Sequence, residues 1–88
     1  MKIRPGFSLH RVVDIHVVVG VGSDAYMPNQ IMSVNDTGAS LWHLLEKGAE
    51  KEDLVQSLVG EYGVDEQTAS RDVDTFLALL RDKGLIDD

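Results

Sequence analysis

The sequence contains no cysteine, which excludes a disulfide framework and a thiolate metal site. It has no run of about 18 apolar residues, so we expect no segment to span a membrane. The first six residues lack the apolar core of a signal peptide. These absences favour a cytoplasmic protein, and the length of 88 residues predicts a single domain over residues 1–88.

Basic residues are also scarce, and their distribution divides the chain into two parts. The net charge is −7, and residues 1–34 contain three basic and two acidic residues. Residues 35–88 contain five basic and thirteen acidic residues, a net of −8. Because nucleic-acid affinity depends on neutralising phosphates, this acidic half predicts no nucleic-acid partner.

No group of residues has a catalytic or metal-binding pattern. The histidines are His10, His16 and His43, and no third ligand stands at metal spacing to the first two. The paired acids fall at predicted helix starts or at the C-terminus, where capping and solvation explain them. We therefore expect no metal, no cofactor and no catalysis, which favours a binding module over an enzyme.

The first third of the chain has the pattern of β-strands. Strands are predicted at residues 7–12 and 16–21, with a turn at 13–15. The β-branched run at residues 17–19 favours a strand with both faces at least partly covered. Pro28 precedes a third apolar run, and proline cannot donate to a ladder, so residues 30–34 are predicted to form a short edge strand.

The first of three predicted helices spans about residues 37–47. Asn35 or Asp36 can cap it, because either side-chain oxygen can accept a free backbone N–H of the first turn. Gly38 and Ala39 are small, so the first turn can lie close against a neighbouring element.

Two further helices follow after short, glycine-containing connections. One is predicted at residues 51–62, and the last begins at Asp65 and ends before Gly84. The residues after that glycine can fold back on the last turn. The order predicts an α+β domain that resembles a winged helix-turn-helix, with three N-terminal antiparallel strands followed by three helices.

Four segments, in this order and spacing, resemble the PqqD-like family. They are Lys2-Ile3-Arg4-Pro5-Gly6-Phe7; Val34-Asn35-Asp36-Thr37-Gly38-Ala39 with Leu41-Trp42; Glu52-Asp53-Leu54-Val55 leading to Tyr62-Gly63-Val64-Asp65; and Asp72-Val73 with Phe76-Leu77, Leu80 and Gly84-Leu85. The family consists of small winged helix-turn-helix proteins, also called RiPP recognition elements, that bind the leader of ribosomally synthesised precursor peptides.

The resemblance implies a peptide chaperone. Its partners would be a precursor (leader) peptide and a modifying enzyme, such as a radical S-adenosylmethionine enzyme, to which the peptide is presented. The product would be pyrroloquinoline quinone or another peptide natural product.

The predicted edge strand is the candidate peptide site. An edge presents unpaired N–H and C=O groups to which an extended peptide can add. Residues 30–34 contain no Lys or Glu, the charged residues that commonly protect an edge from pairing with another strand. At about 100° per residue, Leu79 lies to one side of the core stripe of the last helix. We predict that a peptide groove is lined by Gln30, Ile31, Met32, Ser33, Val34, Asp72, Phe76, Leu79 and Lys83.

Other interpretations stay open from the residues alone. The edge can be covered by a loop of the chain or by a second subunit, which makes the expected state a monomer or a weak homodimer, and Leu79 can be an ordinary surface leucine. A transcriptional regulator is the first alternative function. The last helical segment, however, has five acidic and three basic residues, and its net negative charge disfavours insertion into the major groove of DNA. An adaptor that binds a folded protein is the second.

Overall fold

The structure, a computed structural model, describes residues 1–20 and 32–87. Their elements are β1 (Lys2–Ile3), β2 (Phe7–Val12), β3 (Ile15–Gly20), β4 (Met32–Val34), α1 (Asp36–Lys47), α2 (Lys51–Tyr62), α3 (Glu66–Asp82) and β5 (Ile86–Asp87). This order confirms the predicted α+β class with a winged-helix-like arrangement. Within these residues, no helix combines the length and the apolar character needed to cross a membrane.

The strands β2, β3 and β4 form an antiparallel sheet in that order. Val12 pairs with Ile15, so the β2–β3 turn has two residues and the predicted turn was one residue too long. The adjacent residues Val17 and Val18 are both buried, which confirms that both faces of β3 are at least partly covered.

Strand β4 lies at one edge of this sheet. It pairs with β3 on one side, and none of the described strands pairs with its other side. The predicted edge strand is therefore confirmed for Met32–Val34, whereas Gln30 and Ile31 lie outside the described residues.

A second sheet, which the sequence pattern did not predict, joins the two ends of the chain. Strand β1 pairs antiparallel with β5, and the buried residues Ile3 and Ile86 stand opposite each other. Just before β5, the backbone N–H of Leu85 donates to the carbonyl of Leu80 at 2.8 Å. The predicted fold-back after α3 is thus confirmed, and it continues into a strand that is too short to show an alternating pattern.

The helices supply most of the hydrophobic core. Trp42 and Leu45 of α1, Leu54 of α2, and Val73 and Leu80 of α3 have no exposed surface. Each helix begins within one residue of its predicted start. The first turn of α2 is closed by the Glu50 N–H, which donates to the Asp53 carboxylate at 2.9 Å.

Candidate functional site

The free edge of β4 and one face of α3 form the two walls of a groove with a volume of about 370 Å³. Four of its lining residues follow the i, i+3, i+4, i+7 spacing that places them on a single face of α3. The floor is made by α1 and α2. The groove is lined by Ser33, Val34, Asn35, Thr37, Gly38, Leu41, Leu58, Asp72, Thr75, Phe76 and Leu79.

Not all of the residues predicted for a peptide site line this groove. Five of them do: Ser33, Val34, Asp72, Phe76 and Leu79. Met32 is 9% exposed and packs in the core instead. Lys83 follows the last residue of α3 and does not line the groove. Gln30 and Ile31 lie outside the described residues.

The connection from β4 to α1 fixes the position of the strand wall. Asn35 is the N-cap, and its Oδ1 accepts from the Gly38 N–H at 2.8 Å and from the Thr37 hydroxyl at 2.9 Å. Asp36 has a different role, since its carboxylate lies 3.0 Å from Nε2 of His16 on β3. The cap and this contact together tie the sheet to the start of α1.

Gly38 allows the first turn of α1 to lie directly under both walls of the groove. A Cβ atom at this position would stand 3.2 Å from Cε1 of Phe76 and 3.2 Å from Cβ of Val34. These distances are shorter than nine in ten of the contacts that real Cβ atoms make. The close approach that was expected of this small residue is confirmed.

Six lining residues were not predicted as part of the site. Thr75 could have been predicted from the sequence, because its spacing from Asp72 and Leu79 places it on the same helical face. The capping segment was recognised as the start of a helix and not as a groove floor. The full set is Asn35, Thr37, Gly38, Leu41, Leu58 and Thr75.

The groove combines apolar side chains with four neutral polar residues and one charged residue. Phe76 is half-buried and Leu79 is 39% exposed, so both offer apolar surface to a ligand. The Thr75 hydroxyl donates to the Arg71 carbonyl at 3.1 Å and is thus already bonded within α3. Asp72 is the one charged lining residue in the described part of the chain.

The backbone of β4 gives the groove a second kind of binding surface. Residues of an antiparallel strand direct their N–H and C=O groups alternately toward and away from the partner strand. At least one of the three residues of β4 therefore presents both groups to the groove side. This edge can accept an extended peptide, while the adjoining helix face can receive side chains.

A winged-helix-like domain with a free strand edge beside a groove-facing helix is the architecture of a strand-accepting binding module. The chain belongs to the PqqD family, because the family described as "Coenzyme PQQ synthesis protein D (PqqD)" matches residues 16–86. No sequence among curated proteins matches the chain.

Two solved structures share the fold over nearly the whole chain. The first is TbiB1 in complex with the TbiA(beta) leader peptide, with 28% identity, a TM-score of 0.77 and coverage of 100% of both chains. The second is lasso peptide synthetase B1 complexed with the leader peptide, with 26% identity and a TM-score of 0.74. That match covers 96% of this chain and 93% of the other.

Proposed function

We propose that this protein binds the leader segment of a ribosomally synthesised precursor peptide as an added strand on β4. The observation that carries the proposal is the groove between the free edge of β4 and the face of α3 that presents Phe76 and Leu79. Membership of the PqqD family supports it, and so do the two similar proteins, each of which was solved with a leader peptide.

Affinity and specificity come from different parts of the groove. Backbone hydrogen bonds to β4 hold any extended peptide, whereas pockets on α3 select its side chains. A peptide that covers the exposed 39% of Leu79 would gain on the order of 1 kcal/mol from that residue alone. We therefore place Ser33, Val34, Asp72, Phe76 and Leu79 in the peptide site.

The biological role that follows is that of a peptide chaperone without chemistry of its own. By holding the leader, the domain raises the effective concentration of the precursor at a modifying enzyme, such as a radical S-adenosylmethionine enzyme. The cysteine-free chain is compatible with a reducing cytoplasm, which we propose as its location.

An NMR titration of the labelled protein tests the proposal. The probe is the leader of whichever short precursor peptide is found to be encoded beside this protein. We expect shifts concentrated at residues 32–34 and at 72–79. Leu79→Glu should weaken binding strongly because it places a charge against apolar peptide side chains. Val12→Glu is the matched control, since Val12 is 50% exposed and lies outside the groove.

The pattern of shifts separates the alternatives. Shifts confined to the acidic outer face of α2 would contradict strand addition and would favour the adaptor function. Equal affinity of the Leu79→Glu and Val12→Glu variants would place the site elsewhere. The regulator function would require sequence-dependent retardation of DNA in a gel shift at low salt.

A further inference from the structure

We propose that the groove selects leaders in which a lysine or arginine stands two residues from an apolar side chain, with Asp72 as the residue that determines this preference. The inference rests on the proposed function, because it concerns the same groove. It adds the charge of the peptide and the spacing of its two recognised side chains.

The electrostatic basis is a single unpaired carboxylate. Asp72 is exposed, and within the described residues its carboxylate has no hydrogen bond or ion pair. Its neighbour Arg71 lines a different surface of α3, together with Glu66 and Asp74. No lining residue of the groove in the described part of the chain is a cation, so nothing in the groove competes for Asp72.

The net charge of the helical half points in the same direction. Residues 35–88 carry a net of −8, so an acidic peptide approaches against repulsion and a basic one with attraction. Within the groove this general preference becomes local, because Asp72 is the one charged side chain among the described lining residues that a peptide cation can meet directly.

The spacing follows from the geometry of a helix beside an extended chain. Asp72 and Phe76 are four residues apart, which is about 6 Å along the axis of α3. In an extended peptide, side chains on the same face are two residues and about 6.6 Å apart. A peptide that runs along α3 can thus place an apolar side chain on Phe76 and Leu79 and a cation, two residues away, on Asp72.

Selection from a random library provides the test, because it does not require the sequence of the leader. Random 15-residue peptides displayed on their messenger RNA are selected on the wild-type protein and on Leu79→Glu, Asp72→Asn and Asp74→Asn variants. Asp74 is the matched control: it lies on the same helix, makes an ion pair with Lys51 at 2.9 Å and does not line the groove. Both asparagine variants change the net charge equally.

We expect the wild-type and Asp74→Asn proteins to enrich peptides with Lys or Arg two residues from an apolar residue. The Asp72→Asn protein should retain the apolar residue and lose the cation. In a selected peptide, replacing the cation by alanine should weaken binding about three- to fivefold at low salt, the size expected of an exposed ion pair. The same replacement should have no effect on the Asp72→Asn protein.

The outcomes distinguish this inference from the proposed function. If the wild type enriches peptides that the Leu79→Glu variant does not, but without a cation preference, the groove binds peptides and the inference is overturned. A cation preference that persists in Asp72→Asn also overturns it. If Leu79→Glu enriches the same peptides as the wild type, or nothing is enriched, the proposed function fails and the inference fails with it.

Discussion

Replacing Gly38 with alanine tests the contact between the three elements that build the groove. The added Cβ would meet Oδ1 of Asn35, Cε1 of Phe76 and Cβ of Val34, each at 3.2 Å. Asn35 cannot move away without weakening the N-cap, since its Oδ1 accepts two hydrogen bonds there. Val34 is fixed by its pairing with His16 on β3. Phe76 is the neighbour that can move, and it would move into the groove.

The expected change in stability is the difference between the gain in helix propensity and the cost of steric crowding. Alanine is favoured over glycine in a helix by at most about 1 kcal/mol. Overpacking of a tight site costs about 1–3 kcal/mol, and a disturbed N-cap costs about 1 kcal/mol. We therefore expect Gly38→Ala to destabilise the protein by about 1–3 kcal/mol and to weaken peptide binding, because the displaced Phe76 ring narrows the groove.

Gly60 provides the control for helix propensity. It lies within α2, and a Cβ there would have no neighbour within 4 Å. Gly60→Ala should therefore stabilise the protein by about 0.5–1 kcal/mol. Urea unfolding would measure the free energy of unfolding of both variants, and their thermal unfolding midpoints should differ by roughly 6 °C or more. A Gly38→Ala variant that is as stable as Gly60→Ala would refute the close approach.

Three further predictions concern local features of the fold. Val13 lies at the tip of the β2–β3 hairpin with φ of 57° and 82% exposure, so Val13→Asn should stabilise the protein by about 1 kcal/mol in urea unfolding, because asparagine tolerates this conformation and valine does not. No gain would show that the turn changes conformation. Asn35→Ala should cost about 1–2 kcal/mol in the same assay through loss of the N-cap, and Asp36→Ala less; equal costs would contradict the assignment of the cap. The side chain and backbone of Thr68 lower the pKa of Asp65 below its ordinary 3.8, so this carboxylate stabilises the fold above that pH and the contribution is lost as the pH falls through the folded-state pKa. NMR titration of Thr68→Ala should find the pKa of Asp65 raised toward the ordinary value, and an unchanged pKa would rule out Thr68 as the cause.

Much of the fold was predictable because its elements carry local signals. The apolar periodicity of the helices and the glycines that end two of them gave α2 its observed bounds, and they placed the starts of α1 and α3 within one residue. The β-branched run in β3 gave a buried strand for a similar reason. The β1–β5 sheet had no such signal, because each strand has two residues and the pairing joins opposite ends of the chain.

The groove was less predictable because its parts meet only in the folded protein. The free edge of β4 and the exposed leucine on α3 could each be expected from local pattern. The position of Leu58 in the floor could not, since it depends on how α2 packs beneath the other helices. Met32 was assigned to the site because it belongs to the edge strand, yet strand alternation turns its side chain into the core.

The width of the groove depends on the absence of a side chain at Gly38. Val34 on one wall, Phe76 on the other and the capping oxygen of Asn35 all surround the space where a Cβ of residue 38 would lie. Since Val34 of β4 and Phe76 of α3 both lie against the first turn of α1 at Gly38, the glycine determines how closely the two walls approach that turn. A bulkier residue would have to displace either the strand wall or the aromatic ring. The segment from Val34 to Gly38 therefore joins folding to peptide recognition: its cap starts α1, and its glycine shapes the floor on which we propose that the leader binds.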